Sequence, residues 1–435
     1  MKYKVKQLVD KILPAVVMRS LRGLKLEFRV QFARVYHFRD IWRIRRKVRR
    51  GEKIRVLFLD SETAKWKVQT LFELFERDGR YEPLVGISRR DVDENNDVTL
   101  VERGMDDARE FFERLGNRWV YVYDSKNGCP IDLRQFSPDI VFYQQPWNVH
   151  GCHFPAVTCR FALTCYIPYF VPSYGLPEME AHMPFHRFLA FYFTLNKAWS
   201  AEYKKDVYSL FFSGKMCGLG NPILDCLTHS LCHEKRDGKK QVIYAPHFSI
   251  SKESDKFKPL VSMSTFLENG RDILTYAIAH PEFKWVFKPH PMLKKALVDS
   301  DAWTPAEVLS YYSEWAKIGD VCDEGDYMRL FATASLMITD CGSFLSEFGA
   351  TGRPIIHLMS KRNKLKPCAP SRKLFSSYYE VRSLRELNSC LKVILENNED
   401  PNQERRCAAL KEANLVGVNA AQHIMDFLGQ LFQIK

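Results

Sequence analysis

The sequence lacks several features that would assign it to common protein classes. Its 435 residues contain no run of 18 apolar residues, so we expect no membrane-spanning helix. The 12 cysteines are scattered, without a CxxC pair or the density of a disulfide framework, a pattern typical of a reducing cytoplasm. The apolar stretch Ile12–Met18 is short, contains Pro14 and lacks a small-residue cleavage site, so no secretory signal is expected. These absences predict a cytoplasmic protein.

Net charge is also absent from most of the chain. Residues 1–50 hold 16 Lys and Arg against three acids, whereas residues 51–435 hold 48 basic and 49 acidic side chains. Apolar and basic residues alternate at helical spacing in this segment, which predicts one or two amphipathic basic helices. Such an arm favours an anionic membrane surface, and the alternative is a solvated helix packed on the body. No nucleic-acid partner is expected, because no recognised binding motif accompanies the charge.

The remainder, with 46% hydrophobic residues overall, predicts a folded α/β protein of two domains. Short apolar strands alternate with helices from Ile54, and the series restarts after the polar break His233–Lys240, which favours two open parallel sheets. We place the domains at residues 51–225 and 226–400, followed by a helical segment, 401–435, that packs back across them. A ligand crevice is expected between the units, at the carboxyl ends of the strands.

Two histidines follow predicted strands of the second unit. His290 lies in Phe287–Pro291 (FKPHP), where prolines on both sides hold the backbone extended, and Lys288 beside it suits a phosphate-rich ligand. His247 follows Tyr244–Pro246 at another strand end. His290 and His247 are the candidate catalytic residues, and each has the alternative of a purely structural loop residue.

The segment Ile338–Phe348 (ITDCGSFLSEF) predicts a strand, a small-residue turn and a helix. Free amides at such a turn can receive phosphate oxygens, and Glu347 can accept hydrogen bonds from a ribose. The alternative is an ordinary capping box. The candidate donor-binding residues are Lys288, Asp340, Gly342, Ser343, Phe344, Ser346, Glu347 and, in the turn 217–222, Asn221.

Together these segments resemble the CDP-glycerol glycerophosphotransferase family of teichoic-acid and surface-polymer synthesis. The shared motifs are a Gly-Asn-Pro turn, a Tyr-Ala-Pro strand end, a Lys-Pro-His-Pro motif, an Ile-Thr-Asp-x-x-Ser turn and an Arg-Pro-Ile-Ile strand; here they are residues 220–222, 244–246, 288–291, 338–343 and 353–356. The likeness covers about residues 214–358.

The resemblance implies a GT-B fold and metal-independent transfer of a polyol phosphate from a CDP-linked donor to a lipid-linked or growing glycan, without a cofactor. It makes His290 the residue that contacts the donor phosphates and assists departure of CMP. Ser343 and the amides of Gly342 and Phe344 would hold the diphosphate, and Glu347 the nucleotide sugar. A peripheral position on the inner face of the cell membrane follows.

The first unit departs from the family pattern. Polymerase-type members carry a His-Gly-Thr-Pro-Leu-Lys motif there, whereas the comparable stretch 164–170 (TCYIPYF) has no histidine. His150 or His153 could replace the missing base. The aromatic stretch Tyr143–Tyr174 could line an acceptor groove or simply form core. The weaker acceptor candidates are Tyr143, Gln144, Trp147, His150 and His153.

Two further hypotheses keep the fold and change the function. A glycosyltransferase of capsule or lipopolysaccharide synthesis would use a nucleotide sugar and form a glycosidic bond. A non-catalytic scaffold of the same fold would account for the missing histidine motif.

Overall fold

The computed structural model describes residues 15–89, 98–174, 183–207, 214–234, 238–250, 262–323, 327–363, 365–413, 415 and 419–434. Within these ranges two fully parallel sheets dominate, and a short antiparallel hairpin lies beside the first. The predicted architecture of two open parallel α/β units with a helical N-terminal segment is confirmed.

The first sheet has seven strands in the order β3-β2-β1-β6-β7-β8-β9. In chain order the strands are β1 (Ile54–Asp60), β2 (Tyr81–Ile87), β3 (Trp119–Tyr121), the hairpin strands β4 (Tyr123–Asp124) and β5 (Cys129–Pro130), β6 (Ile140–Tyr143), β7 (Leu163–Tyr166), β8 (Phe191–Thr194) and β9 (Lys215–Gly218). The central strands are buried on both faces and therefore read as continuous apolar runs rather than alternating ones.

The second sheet has six strands in the order β12-β11-β10-β13-β14-β15. They are β10 (Gln241–Ala245), β11 (Lys284–Phe287), β12 (Gly319–Val321), β13 (Leu336–Thr339), β14 (Ile355–Leu358) and β15 (Tyr379–Val381). Both sheets reverse their direction of strand addition beside the first strand, between β1 and β6 and between β10 and β13. Open α/β sheets bind ligands at such a switch point, outside the carboxyl ends of the strands.

Helices cover the sheets and connect their strands. They are α1 (Ala15–Arg49), α2 (Gln69–Arg77), α3 (Val98–Arg114), α4 (Pro155–Thr158), α5 (Pro184–Arg187), α6 (Lys197–Val207), α7 (Pro222–His233), α8 (Phe266–Ala279), α9 (Leu293–Asp299), α10 (Pro305–Ile318), α11 (Met328–Thr333), α12 (Gly342–Glu347), α13 (Ala369–Phe375), α14 (Leu384–Leu391), α15 (Gln403–Ala413) and α16 (Ala420–Phe432). Short 3-10 turns lie at Thr63–Lys65, Leu133–Phe136 and Gly349–Thr351, and a π-helical turn at Lys392–Glu396 follows α14.

One apolar cluster joins the two units. It contains Leu57 and Tyr166 of the first sheet together with Ile243 and Met337 of the second. Separate clusters fill the far face of each sheet. The far face of the first sheet also includes Ile424, Leu428 and Phe432 of α16. The last helix of the described chain therefore packs in the core of the first unit.

Helix α1 has two different apolar faces. One face is buried against the first unit through Val30, Ala33 and Ile44, and the ammonium of Lys47 pairs with Asp139 at 2.7 Å. The opposite face exposes a stripe of large apolar side chains, at 52% to 75% of their surface: Phe28, Phe32, Val35, Phe38 and Trp42. Within the described ranges, no helix combines the length and apolar character needed to cross a bilayer.

Several elements differ from the sequence-based prediction. The turn predicted at 217–222 overlaps strand β9, and strands β7, β8 and β15 were not predicted. The helix predicted at the end of the segment Ile338–Phe348 is α12, which ends at Glu347 and is followed by the 3-10 turn at Gly349–Thr351. Strands β7 and β8 are short and buried at every position, so they show no alternation of apolar and polar residues.

Candidate active site between the two sheets

The carboxyl ends of three second-sheet strands bring predicted site residues together. His247 follows β10, His290 follows β11 and Asp340 follows β13. Strands β10 and β13 form the switch point of this sheet. The position is the one where an open α/β sheet binds its ligand.

Asp340 holds two loops at this edge. Its Oδ1 accepts the main-chain N–H of His247 at 2.6 Å, and its Oδ2 accepts the N–H and the hydroxyl of Thr265 at 2.6 and 2.9 Å. The side chain is buried, and this burial raises the pKa of Asp340 to about 7 even though three donors favour the carboxylate. Asp340 is therefore placed to position the loops around a ligand.

The two histidines lie side by side, with ring centroids 5.3 Å apart. The Nδ1 of His247 accepts the N–H of Ser249 at 3.2 Å, and the Nδ1 of His290 accepts the N–H of Met292 at 3.1 Å. In the neutral form, each ring then carries its proton on Nε2, which acts as a donor. Burial lowers the pKa of His247 to about 4, so this ring is neutral at pH 7.

Two buried lysines lie beside the ring of Tyr327. Lys288 follows β11, is 4% exposed, and its Nζ is 5.9 Å from the ring centroid. Lys67 belongs to the first unit, is 3% exposed, and its Nζ is 4.1 Å from the same centroid. Burial lowers the pKa of Lys288. Cationic groups from both units therefore meet at one aromatic ring.

Glu347 is buried at the contact between the units. Its Oε2 accepts the hydroxyl of Tyr327 at 2.8 Å and its Oε1 accepts the main-chain N–H of Val171 at 3.3 Å. Burial raises the pKa of Glu347 to about 7, while the Tyr327 hydrogen bond and the charge of Lys67 oppose the shift. Both carboxylate oxygens of Glu347 thus have protein partners. The predicted contact of Glu347 with a ribose stays a prediction.

Gly342 and Ser346 of α12 also contact the first unit. The hydroxyl of Ser173 donates to the carbonyl of Gly342, and its Oγ lies 2.7 Å from that of Ser346. A Cβ at residue 342 would lie 3.1 Å from the ring of Tyr174, so a larger residue would have to displace that ring by a few tenths of an ångström. These two residues join the units, and their predicted donor contacts remain untested.

Ser343 and Phe344 are the partly exposed members of this helix. The Oγ of Ser343 is 3.6 Å from the sulfur of Cys341, and Phe344 packs on Tyr327 with centroids 5.1 Å apart. Ser343 therefore retains a surface on which a ligand can be bound.

Asn221 is placed at the start of α7 as its N-cap. Its Oδ1 accepts the N–H of Ile223 at 3.1 Å, and its Nδ2 donates to the carbonyls of Pro168 and Phe170 at 2.9 and 3.3 Å. The amide thus fixes the 168–170 loop of the first unit; its predicted role in donor binding stays a prediction.

Three first-unit candidates form a packed cluster near the β4–β5 hairpin. The hydroxyl of Tyr143 donates to the carbonyl of His153 at 2.7 Å, and Nε2 of His153 lies 2.7 Å from the carbonyl of Ile131. The ring of His150 stacks on Tyr123 with centroids 5.0 Å apart. Burial lowers the pKa of His153. Structural contacts occupy His153 and Tyr143, and a role of either histidine as acceptor base remains a prediction.

Gln144 and Trp147 instead lie beside the loop that carries Lys65 and Lys67. The Oε1 of Gln144 accepts the main-chain N–H of Lys67 at 3.0 Å. The ammonium of Lys65 lies 5.6 Å from the centroid of Trp147 and 5.2 Å from that of Tyr169. These two candidates therefore belong to the same side of the cleft as Lys67.

The sequence-based argument missed Lys67, Ser173, Thr265 and Tyr327. Lys67 could have been found, because it follows β1, the first strand of the first unit, where the switch-point rule also applies. No local signal marks the other three, whose roles depend on contacts between distant segments. Among the described side chains, no group of three or more His, Cys, Asp and Glu residues is arranged to hold a metal ion.

No protein-family model matches the sequence, and no curated protein matches it. Solved structures do match. The wall teichoic acid polymerase TagF superposes with a TM-score of 0.54 at 12% identity, over 92% of this chain and 98% of that chain. A TagF variant soaked with CDPG gives 0.51 at 12% identity, over 96% of each chain. The UDP-GlcNAc 2-epimerase from Neisseria meningitidis, bound to UDP-GlcNAc, gives 0.53 at 14% identity, over 87% of this chain and all of that one.

Sequence identities of 12% to 14% are too low to assign an activity to this chain. The similarity therefore concerns only the fold. The likeness extends over both sheets, since 87% to 96% of the chain is covered. The protein therefore has a GT-B-like fold.

Proposed function

We propose that the protein is a transferase that moves a polyol phosphate, such as glycerol phosphate, from a CDP-linked donor to a hydroxyl of a lipid-linked or growing surface glycan. The observation that carries the proposal is the group of His247, His290 and Lys288 at the switch point of the second sheet. The motifs shared with the glycerophosphotransferase family lie at these strand ends. The TagF polymerase, one neighbour of the same fold, was soaked with CDPG in one of its structures.

In this reaction the acceptor oxygen forms a bond to the phosphorus of the polyol phosphate. The bond from that phosphorus to the bridging oxygen breaks, CMP leaves with the electron pair, and the acceptor hydroxyl releases its proton. Phosphoryl transfer depends mainly on positioning and on neutralising charge. His290 would donate from Nε2 to the departing phosphate, Lys288 would neutralise its charge, and Ser343 would bind a phosphate oxygen.

Nucleotide-dependent thermal stabilisation tests this proposal. A ligand that binds the native state raises the apparent stability by RT ln(1 + [L]/Kd). We expect CDP to stabilise the protein more than UDP or GDP, and His290→Ala to abolish the difference. His280→Ala is the matched control, because His280 precedes β11 at the opposite edge of the same sheet. Equal shifts with all three nucleotides would contradict the cytidine donor.

A nucleotide-sugar transferase is the second candidate. The UDP-GlcNAc-bound epimerase matches this chain as closely as TagF does, with TM-scores of 0.53 and 0.54. Incubation with CDP-glycerol, CDP-ribitol and UDP-sugars separates the two candidates. Release of UDP from a UDP-sugar, without turnover of the CDP-linked donors, would replace the first proposal by a nucleotide-sugar transferase. If no donor is turned over and cells with His290→Ala make unchanged polymer, a non-catalytic scaffold would be favoured.

The proposal includes peripheral binding to an anionic membrane through α1. The exposed stripe from Phe28 to Trp42 lies on the face opposite the buried one, and basic residues such as Arg34 and Arg46 lie on the same helix. Aromatic rings suit the membrane interface, and each nearby basic side chain adds about 1 kcal/mol of attraction to anionic lipid. The acceptor of the proposed reaction is bound to lipid, so this position brings enzyme and acceptor together.

Vesicle sedimentation measures this association. Replacing Phe28, Phe32 and Phe38 together by Ser should reduce binding to vesicles containing phosphatidylglycerol at least tenfold, because three apolar anchors are lost. Leu309→Ser is the control, since Leu309 is 70% exposed on α10. Unchanged binding of the triple variant would contradict the role of the stripe.

A further inference from the structure

Three neighbouring strands of the first sheet end in buried polar side chains. Asp60 is the last residue of β1, Ser88 directly follows β2, and Gln144 and Gln145 directly follow β6. Their side chains are 3% to 8% exposed. Each has a polar atom without a hydrogen-bond partner among the described residues: Oδ2 of Asp60, Oγ of Ser88, Nε2 of Gln144 and Oε1 of Gln145. An unsatisfied buried polar group destabilises the folded state, so this set requires an explanation.

The register of the sheet brings these strand ends together. Phe58 of β1 lies opposite Phe142 of β6, so Asp60 comes level with Gln144 at the end of the same pair. On the other side of β1, the main-chain N–H of Ser88 donates to the carbonyl of Asp60 at 2.8 Å. Strands β1 and β6 flank the point where the strand order of this sheet reverses. Open α/β sheets bind ligands outside the carboxyl ends of the strands at such a point.

This edge of the first sheet lies at the cleft. The side chain of Gln144 accepts the main-chain N–H of Lys67, and the ammonium of Lys67 lies 4.1 Å from the ring centroid of Tyr327 in the second unit. Tyr327 in turn packs on Phe344. The polar edge is therefore on the opposite side of the cleft from Ser343, which the proposed reaction uses to bind a phosphate oxygen.

The chemistry of the unpartnered atoms indicates the kind of group that suits them. Oδ2 of Asp60 and Oε1 of Gln145 accept hydrogen bonds, Nε2 of Gln144 donates, and the hydroxyl of Ser88 does either. A hydroxyl group donates and accepts at once, so the hydroxyls of a glycan or polyol match this set. A phosphate chiefly accepts hydrogen bonds and does not match the two acceptors.

Asp60 carries a proton acceptor suited to neutral pH. Burial raises the pKa of its carboxyl to about 7 and the charge of Glu62 acts in the same direction, whereas the charge of Lys65 and the main-chain N–H of Glu62 oppose the shift. The negative charge is thus partly compensated; what Oδ2 lacks among the described residues is a hydrogen-bond donor. A base whose pKa lies near the working pH is suited to take the proton of a hydroxyl group.

We propose that this edge of the first sheet binds hydroxyl groups of the acceptor and that Asp60 removes the proton of the attacking hydroxyl. The proton passes to Oδ2, the acceptor oxygen forms the bond to the transferred group, and the nucleotide leaves with the electron pair of the bond that breaks. Ser88, Gln144 and Gln145 bind neighbouring hydroxyls. The identity of the transferred group rests on the proposed function; the role of Asp60 does not, because forming a glycosidic bond requires the same deprotonation.

Turnover assays with CDP-glycerol and UDP-GlcNAc as donors, and with glycerol and octyl glucoside as acceptors, test this role. In Asp60→Asn we expect about a hundredfold lower kcat and a donor KM close to the wild-type value, because the base acts on the acceptor rather than on the donor. Asp139→Asn is the matched control, since Asp139 is 2% exposed and pairs with Lys47 before β6, at the opposite edge of the same sheet. We expect its kcat to stay close to that of the wild-type protein.

Formate distinguishes a base from a carboxyl that only supports the fold. Asp60→Ala removes the carboxyl and leaves space for formate, which should raise the kcat of this variant about tenfold and leave that of the wild-type protein unchanged. Asn has nearly the shape of Asp, so Asp60→Asn should fold. If it does not, Asp60→Glu, which keeps the carboxyl and moves it by one methylene, takes its place with the same expected loss of kcat.

The outcomes separate this inference from the proposed function. Turnover of UDP-GlcNAc alone, lost in Asp60→Asn, would refute the polyol-phosphate donor and support the role of Asp60. Turnover of CDP-glycerol that is unchanged in Asp60→Asn would support the proposed function and overturn the inference. A loss in Asp60→Ala that formate does not restore would also overturn it, and no turnover of either donor by the wild-type protein would overturn both.

Discussion

The two sheets present different chemistry at the carboxyl ends that face each other. In the second unit, His247 and Asp340 are fixed by hydrogen bonds to neighbouring loops, and His290 lies against them. In the first unit, His153 is used in packing, and the cation Lys67 approaches the cleft. Precise positioning therefore comes from the second sheet, whereas the first sheet contributes charge and aromatic surface.

The largest expected effect follows from replacing Asp340, which positions two loops of the second unit. Asp340→Ala removes the acceptor of three hydrogen bonds and leaves buried donors of His247 and Thr265 unsatisfied. Each unsatisfied buried donor costs about 1–3 kcal/mol, so we expect a loss of about 3–5 kcal/mol in the free energy of unfolding. Urea denaturation measures this loss, and a change below about 1 kcal/mol would show that the loops are held in another way.

A smaller effect concerns a histidine that the first unit uses only for packing. His186 is fully buried, neither ring nitrogen has a partner among the described residues, and burial lowers its pKa to about 4. Because the folded-state pKa lies below the usual value, the stability due to the neutral ring is present above about pH 6.5 and is lost as the pH falls towards 4.

His186→Phe removes this loss and keeps a ring stacked on Tyr192. We expect the variant to gain about 2 kcal/mol relative to wild type on going from pH 8 to pH 5. Asp340 and Glu347, whose pKa values are raised to about 7, shift stability in the opposite direction, but equally in both proteins. The exposed His229→Phe is the control, and a gain that does not depend on pH would refute the titration argument.

The smallest expected effect concerns the hydrogen bond between Gln144 and Lys67 in the first unit. Gln144→Ala removes the acceptor of the Lys67 N–H and should cost about 1 kcal/mol of stability. Urea denaturation measures this cost. Gln145→Ala is the control at the same strand end, because Gln145 donates to Ser61 instead. An unchanged free energy of unfolding in Gln144→Ala would contradict this role of Gln144.

The sequence predicted the class of fold and the strand ends of the second unit because these depend on local patterns. Proline on both sides of His290 and the apolar run before Asp340 are readable without any tertiary information. Contacts between units are not readable in this way: Glu347 accepts the N–H of Val171, a residue 176 positions away in the chain. The position of Lys67 after β1 could have been read from the sequence, because the switch-point rule applies there, but its contact with the ring of Tyr327 in the other unit could not.

The position of α16 also affects how the protein is synthesised. Ile424, Leu428 and Phe432 fill the core on the far face of the first sheet, whose last strand ends at Gly218. At a synthesis rate of about 5–20 residues per second, the ribosome needs on the order of 10–40 s to make the intervening chain. During that interval α1, α2 and α3 pack on the far face of the first sheet without α16, so the surface that Ile424, Leu428 and Phe432 later cover stays exposed. We therefore expect the emerging chain to expose this apolar surface to chaperones until α16 has been made.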